Sequence, residues 1–390
     1  MTQDEGRTDF AGTPEDDEEA IDEGAFAALF GDRRRVVGVV IAFLLVVVAI
    51  YVLLPRVIGF EDVLVRIGQA TWYWLVVALA ATGVAFAAYV ALFRGILGGL
   101  SQSEIFNRLD LRASYQITMA GLAATRLFSA AGAGGIVVTY WALRHAGLRR
   151  RTAAARMVAF LVVMYSVYLG ALVIFGVLLR TGVLPGMNPV GGTIVPAAIA
   201  GTLIGVILML ALIPADIERR LRRLAEGGRG ERAARIAAKL ATGPATVAGG
   251  VRTAISYLRH PRQGALAVGG AIGFWGANIA TLWASFEAFG GDVPFAVLVQ
   301  GFFLGMAANL IPSPAGGVGS VDAGMIAAFL LFGVPSEIVF PAVLVYRVMA
   351  FWAPIPPGVI AYFHLRRTVA GWDEQRAAYT SESKVMPAAT

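Results

Sequence analysis

Unbroken apolar runs at residues 36–54, 72–93, 153–178, 193–213, 264–286 and 336–362 constrain this chain more than any other feature. Each is long enough for an α-helix to cross about 30 Å of hydrocarbon with its backbone polar groups satisfied internally. No single soluble core of this size could absorb them, because 57% of the residues are hydrophobic and only 15% charged. The expectation is an all-α, polytopic membrane protein with six full transmembrane helices.

Two further apolar segments break near their middles, 113–147 at AGAGG (131–135) and 295–333 at PSPAGGVG (312–319). Glycine and proline open the helical ladder there, which is tolerated at membrane depth only inside protein or beside a water-filled cavity. Each half is short for a crossing, so both segments read as re-entrant helical hairpins. Their turns fall at Gly132, Gly134 and Gly135 in the first, and at Pro312, Pro314, Gly316, Gly317 and Gly319 in the second.

Arginine placement sets the orientation. Arg33–Arg35, Arg94, Arg108, Arg112, Arg144, Arg149–Arg151, ten Arg within 214–262, and Arg366 and Arg367 all fall on one side under this topology. By the positive-inside rule that side is the cytoplasm, and both termini lie there, in the cell membrane. Arg56, Arg66 and Arg180 run against the bias.

Around the membrane domain (32–367), residues 1–31 read as a disordered acidic tail and 368–390 as a second disordered tail. The basic loop 214–262 mixes Arg with Leu, Ile and Ala at helical spacing, as interfacial helices on an anionic leaflet would. Basicity next to apolar blocks points to anionic lipid head groups as partners and not to nucleic acid. A homo-oligomer is left open. The first apolar run follows a long acidic leader, so it is expected to anchor the chain and not to be cleaved as a signal peptide.

Aligned without gaps, GLAATRLFSAAGAGGIV (121–137) and GMAANLIPSPAGGVGSV (305–321) share eight of seventeen positions. RMVAF (156–160) and RVMAF (347–351) follow in the same order. The topology carries the two units through the bilayer in opposite directions, which makes them an inverted-topology repeat with two opposed hairpins. That arrangement is a transporter's.

NLIPSPAGGVGSVDAGMIAAFLLFGVP (309–335) with VYRVMAFW (345–352) resembles the lysylphosphatidylglycerol synthase transmembrane region, also called the flippase-like or UPF0104 family. The resemblance covers roughly 36–367. It rests on Pro312, Pro314, Gly316, Gly317, Gly319, Asp322 and Arg347, and in the first half on Gly132, Gly134, Gly135 and Arg156. Val137 and Val138 stand where that family often carries a polar or acidic residue. The resemblance implies a lipid-translocating membrane domain. The residues after 367 leave no room for the aminoacyl-transferase domain of the family's bifunctional members, so a transporter and not an enzyme is expected.

Substrate-binding candidates are Arg126, Asp322, Arg347, Asn309 and Arg156. An unpaired guanidinium at the depth of Arg126 is costly, so it faces a phosphate, snorkels, or pairs with Asp322. Asp322 has three readings: an ion pair with Arg347, a helix cap, or a proton carrier. Arg347 contacts a head group or anchors at the interface. Asn309 opens the second motif. The glycines either expose backbone N–H groups to an anion or let helices pack closely.

No catalytic set, cofactor motif or metal-ligand spacing is present. Cysteine is absent, His145, His260 and His364 read as surface histidines, and neither Lys239 nor Lys384 follows a Walker glycine. Ser129 and Ser313 beside the turns read as backbone caps. Two other readings remain: a membrane-embedded enzyme acting on lipid phosphates, and a non-transporting lipid-binding or assembly module.

Overall fold

A computed structural model describes residues 68–97, 108–127, 133–211, 248–255, 261–310 and 317–385, with five positions between 34 and 45. The acidic tail 1–31, the expected span 36–54 and most of the basic loop lie outside the described residues. Among the described residues there is no strand. The main helices among the described residues run in order: α1 (Trp72–Leu97), α2 (Leu111–Leu127), α3 (Ala133–His145), α4 (Arg150–Arg180), α5 (Ile194–Ala211), α6 (Pro261–Glu287), α7 (Phe295–Met306), α8 (Ser320–Leu331), α9 (Ser336–Arg347) and α10 (Ile355–Val385). Short 3₁₀ turns precede α5 and follow α7, and a π-helical turn, Val348–Trp352, joins α9 to α10.

Five segments are long and apolar enough to cross a membrane: Trp72–Leu97, Arg150–Arg180, Val190–Met209, Gly264–Glu287 and Ser336–Arg376. They match five of the six expected spans, and the chain is a multi-pass integral membrane protein. The 26 residues of α1 extend about 39 Å, ample for the hydrocarbon layer. By contrast α7 and α8, with 12 residues each, reach only about 18 Å. The two glycine-interrupted segments are thus pairs of short helices, α2 with α3 and α7 with α8, and each pair packs together.

The α1–α6 crossing is close because small residues line both helices. A Cβ added at Gly270 would lie 2.4 Å from the Leu92 backbone nitrogen, and one at Gly95 would lie 2.6 Å from that of Ala267. Thr82 and Thr281 meet across the same seam at 3.3 Å, each hydroxyl also donating to a carbonyl four residues back.

Around this crossing, α4, α7, α8 and α9 build an aromatic-rich core. Phe302, Phe303 and Phe329 are fully buried in it. Tyr168 donates to the Phe303 carbonyl at 2.6 Å and Trp275 to the Met164 carbonyl at 2.9 Å, so both polar tips are satisfied inside.

A second core joins α2 and α3 to the last helix, and here the structure departs from the expected tail. The helix does not end near 367 but continues to Val385. Leu365, Val369 and Trp372 form one apolar stripe buried against α2 and α3. Thr368 donates to the Gln116 amide oxygen at 2.9 Å, and Arg376 to the His145 carbonyl at 2.7 Å. Burial and hydrogen bonding together offset the entropy of ordering this segment.

The expected span 336–362 forms, with a π-helical turn inside it. Its sequence reads FWAPIPPG at 351–358, and Pro354, Pro356 and Pro357 have no N–H to donate. The helix answers by widening: the Ala353 N–H bonds back to the Val348 carbonyl at 2.9 Å, a five-residue return, before α10 begins.

Candidate arginine-lined head-group site

The turn before α8 is built by two glycines with positive φ, Gly317 at 91° and Gly319 at 84°, a conformation that disfavours any Cβ. Gly319 is the N-cap of α8, and its backbone N–H donates to Asp322 Oδ2 at 2.8 Å. The other oxygen, Oδ1, lies 2.6 Å from Arg347 Nε. One carboxylate therefore caps a helix and neutralises a buried guanidinium together. Arg347 also donates through a terminal nitrogen to the Gly317 carbonyl at 3.1 Å, so the last residue of α9 is pinned to the glycine turn. Asn309 packs on the same turn, its Oδ1 2.7 Å from where a Gly317 Cβ would stand.

Arg126 near the end of α2 takes different partners. It does not pair with Asp322. Its two terminal nitrogens donate to the carbonyls of Phe351 at 2.9 Å and Ala350 at 3.0 Å, within the π-turn. The reason is local: Pro354 cannot give the Ala350 carbonyl its usual i+4 donor, and the guanidinium fork supplies one from another helix. Among the described residues no carboxylate pairs with Arg126. Its side chain is largely buried, with a minor part exposed.

The Phe351 ring brings the two arginines together. The Arg347 guanidinium carbon lies 4.3 Å from the ring centroid and that of Arg126 lies 5.1 Å from it. Phe86 on α1 flanks Arg126 at 6.0 Å. An aromatic face stabilises a cation, but two cations at one ring repel each other, and of the two arginines Asp322 pairs with Arg347.

Arg156 lies elsewhere. It donates to the Ile96 carbonyl and lines a mostly apolar cavity of about 90 Å³ between α1, α2, α3 and α4, with Tyr89, Thr118 and Thr139. Gly134 and Gly135, expected at the first turn, belong to the first turn of α3. There a Gly135 Cβ would lie 2.0 Å from the Thr125 hydroxyl, so this glycine serves helix packing. Gly132, Pro312, Pro314 and Gly316, with Ser129, Ser313 and His260, are outside the described residues. Asn278 is partly buried in α6 and its amide oxygen lies 3.5 Å from the Tyr346 hydroxyl.

Sequence reasoning missed Phe351 and the carbonyls of Ala350 and Phe351. The signal was present in the proline run 354–357, which disables backbone donors at a fixed distance downstream.

Comparison with known proteins agrees with this architecture. Residues 36–358 match the family model described as the lysylphosphatidylglycerol synthase TM region. Two sequences from Methanothermobacter thermautotrophicus, each described as a UPF0104 membrane protein, are 33% identical over 87 residues and 30% identical over 86. Each match takes in 22% of this chain and 26% of the relative, so the likeness spans about a quarter of those proteins. With the family model covering most of the helical domain, the chain belongs to the lysylphosphatidylglycerol synthase TM region family.

Proposed function

We propose that this protein moves a phosphate-bearing lipid between leaflets of the cell membrane, drawing the head group to Arg126 and Arg347 while the acyl chains stay in lipid. One observation carries the reading: two guanidiniums meet over the Phe351 ring, and only one has a carboxylate partner among the described residues. An intramembrane cation without a counter-ion marks a ligand path, and arginine's fork suits a phosphate.

Family membership supports a lipid-related role. Support for movement rests on the paired architecture. Two helix–break–helix units, α2–α3 and α7–α8, hold Arg126 and Asp322 beside their breaks, and both are tied to the segment between α9 and α10. In this proposal the units are re-entrant hairpins of an inverted repeat, the span 36–54 completes six crossings, and both termini are cytoplasmic. The protein translocates its lipid without altering it chemically.

The test is reconstitution of the purified full chain in liposomes carrying a fluorescent phospholipid, with a membrane-impermeant quencher reporting leaflet exchange. Wild-type protein should accelerate exchange over empty liposomes, and Arg126→Ala should slow it while the protein stays folded. No acceleration across diacyl phospholipids and polyprenyl phosphates would sink the proposal.

A further inference from the structure

The charges of the site also point to the charge state of its ligand. Among the described residues, the charged and titratable side chains around it are Arg126 on α2, Asp322 on α8 and Arg347 on α9, with the phenols of Tyr89 on α1 and Tyr346 on α9. Phenols are neutral below about pH 10. Two guanidiniums against one carboxylate leave a single positive charge.

The residues of the two breaks and the run 36–54 add no charge to that sum. Residues 128–132 (FSAAG) and 311–316 (IPSPAG) carry no ionisable side chain, and 36–54 carries no Asp, Glu, Lys, Arg or His. The N-terminus of α8 adds a partial positive charge at the same place, and Asp322 already caps it.

Resting on the reading of this cluster as a head-group site, we infer that it selects a lipid phosphate bearing one net negative charge. In a low-dielectric interior an uncompensated charge is costly on either side of zero. A phosphodiester with an uncharged alcohol brings the total to neutrality. A zwitterionic phosphodiester brings an ammonium that finds, among the described residues, no carboxylate beyond the one held by Arg347. A phosphomonoester fits only with its second proton on, because the dianion would leave the site negative.

Binding decides this separately from transport. The full chain in detergent is titrated, with native mass spectrometry as readout, against phosphatidylglycerol, phosphatidylcholine and phosphatidic acid of identical acyl chains. Phosphatidylglycerol should bind on the order of tenfold more tightly than phosphatidylcholine. Its affinity should be flat with pH, whereas that of phosphatidic acid should fall as pH rises through the monoester's second dissociation at about 6.

Arg126→Gln, which removes the surplus charge, should bring phosphatidylglycerol and phosphatidylcholine to parity. Asp322→Asn, if it folds, should reverse the pH response of phosphatidic acid, because the site then carries two positive charges. Equal binding of phosphatidylglycerol and phosphatidylcholine to the wild-type chain, or pH-independent binding of phosphatidic acid, would overturn the inference. The charge preference without any leaflet exchange in liposomes would uphold it and remove the transport reading instead.

Discussion

Arg347 Nε lies 2.6 Å from Asp322 Oδ1, and through that pair the end of α9 is locked to the first turn of α8. Arg347 is 4% exposed, so the pair is the only compensation its charge has among the described carboxylates. Removing one partner strands the other in a low-dielectric interior.

Asp322→Ala should therefore lower stability by about 3 kcal/mol or more, well beyond the loss of a capping residue alone. Thermal unfolding in detergent gives the measurement. Combining it with Arg347→Met should recover much of the loss, because the stranded charge is gone. A double variant no more stable than Asp322→Ala would show that the pair is not what holds the two helices.

Arg126→Met should cost about 1–3 kcal/mol by leaving the Ala350 and Phe351 carbonyls without their donors. Adding Pro354→Ala returns an N–H four residues beyond Ala350 and should restore part of that stability. The same Pro354→Ala change in the wild-type background should restore nothing, so the two melting curves separate cause from coincidence.

At the α1–α6 crossing, Gly270→Ala should destabilise by about 1–3 kcal/mol, since its Cβ would press on the Leu92 backbone rather than on a movable side chain. The neighbouring Gly269→Ala meets nothing within 4 Å and should be neutral or mildly stabilising. Comparable losses at both sites would contradict the close crossing.

Trp372→Ala should cost about 3 kcal/mol, because Trp372 is 6% exposed and packs in the core formed with α2 and α3. A tail without structure would tolerate the change. Protease resistance of the segment around Arg376, lost in the variant, provides a second readout.

Much of this was legible from hydropathy and motif. The spans answer to simple length, since a run such as 72–93 has one stable solution in a bilayer. The pairing of Asp322 with Arg347 was one of three readings, and the structure unites two of them because the carboxylate has two oxygens. What escaped notice was set by backbone chemistry: Pro354 disables a donor, which creates an acceptor at Ala350, which in turn fixes Arg126. Hydropathy scores prolines 354, 356 and 357 as part of a run and is blind to missing N–H groups. The end of α10 escaped for a different reason, as charges at Arg366, Arg367 and Asp373 hid the stripe of Leu365, Val369 and Trp372.

The π-turn at Val348–Trp352 has a mechanical consequence. Its upstream flank is fastened by Arg347 to one helical pair, and its own carbonyls are fastened by Arg126 to the other. Displacing either pair thus loads the same five residues, which act like a beam loaded at both ends. A single turn of backbone is thus the shared anchor of the α2–α3 and α7–α8 pairs.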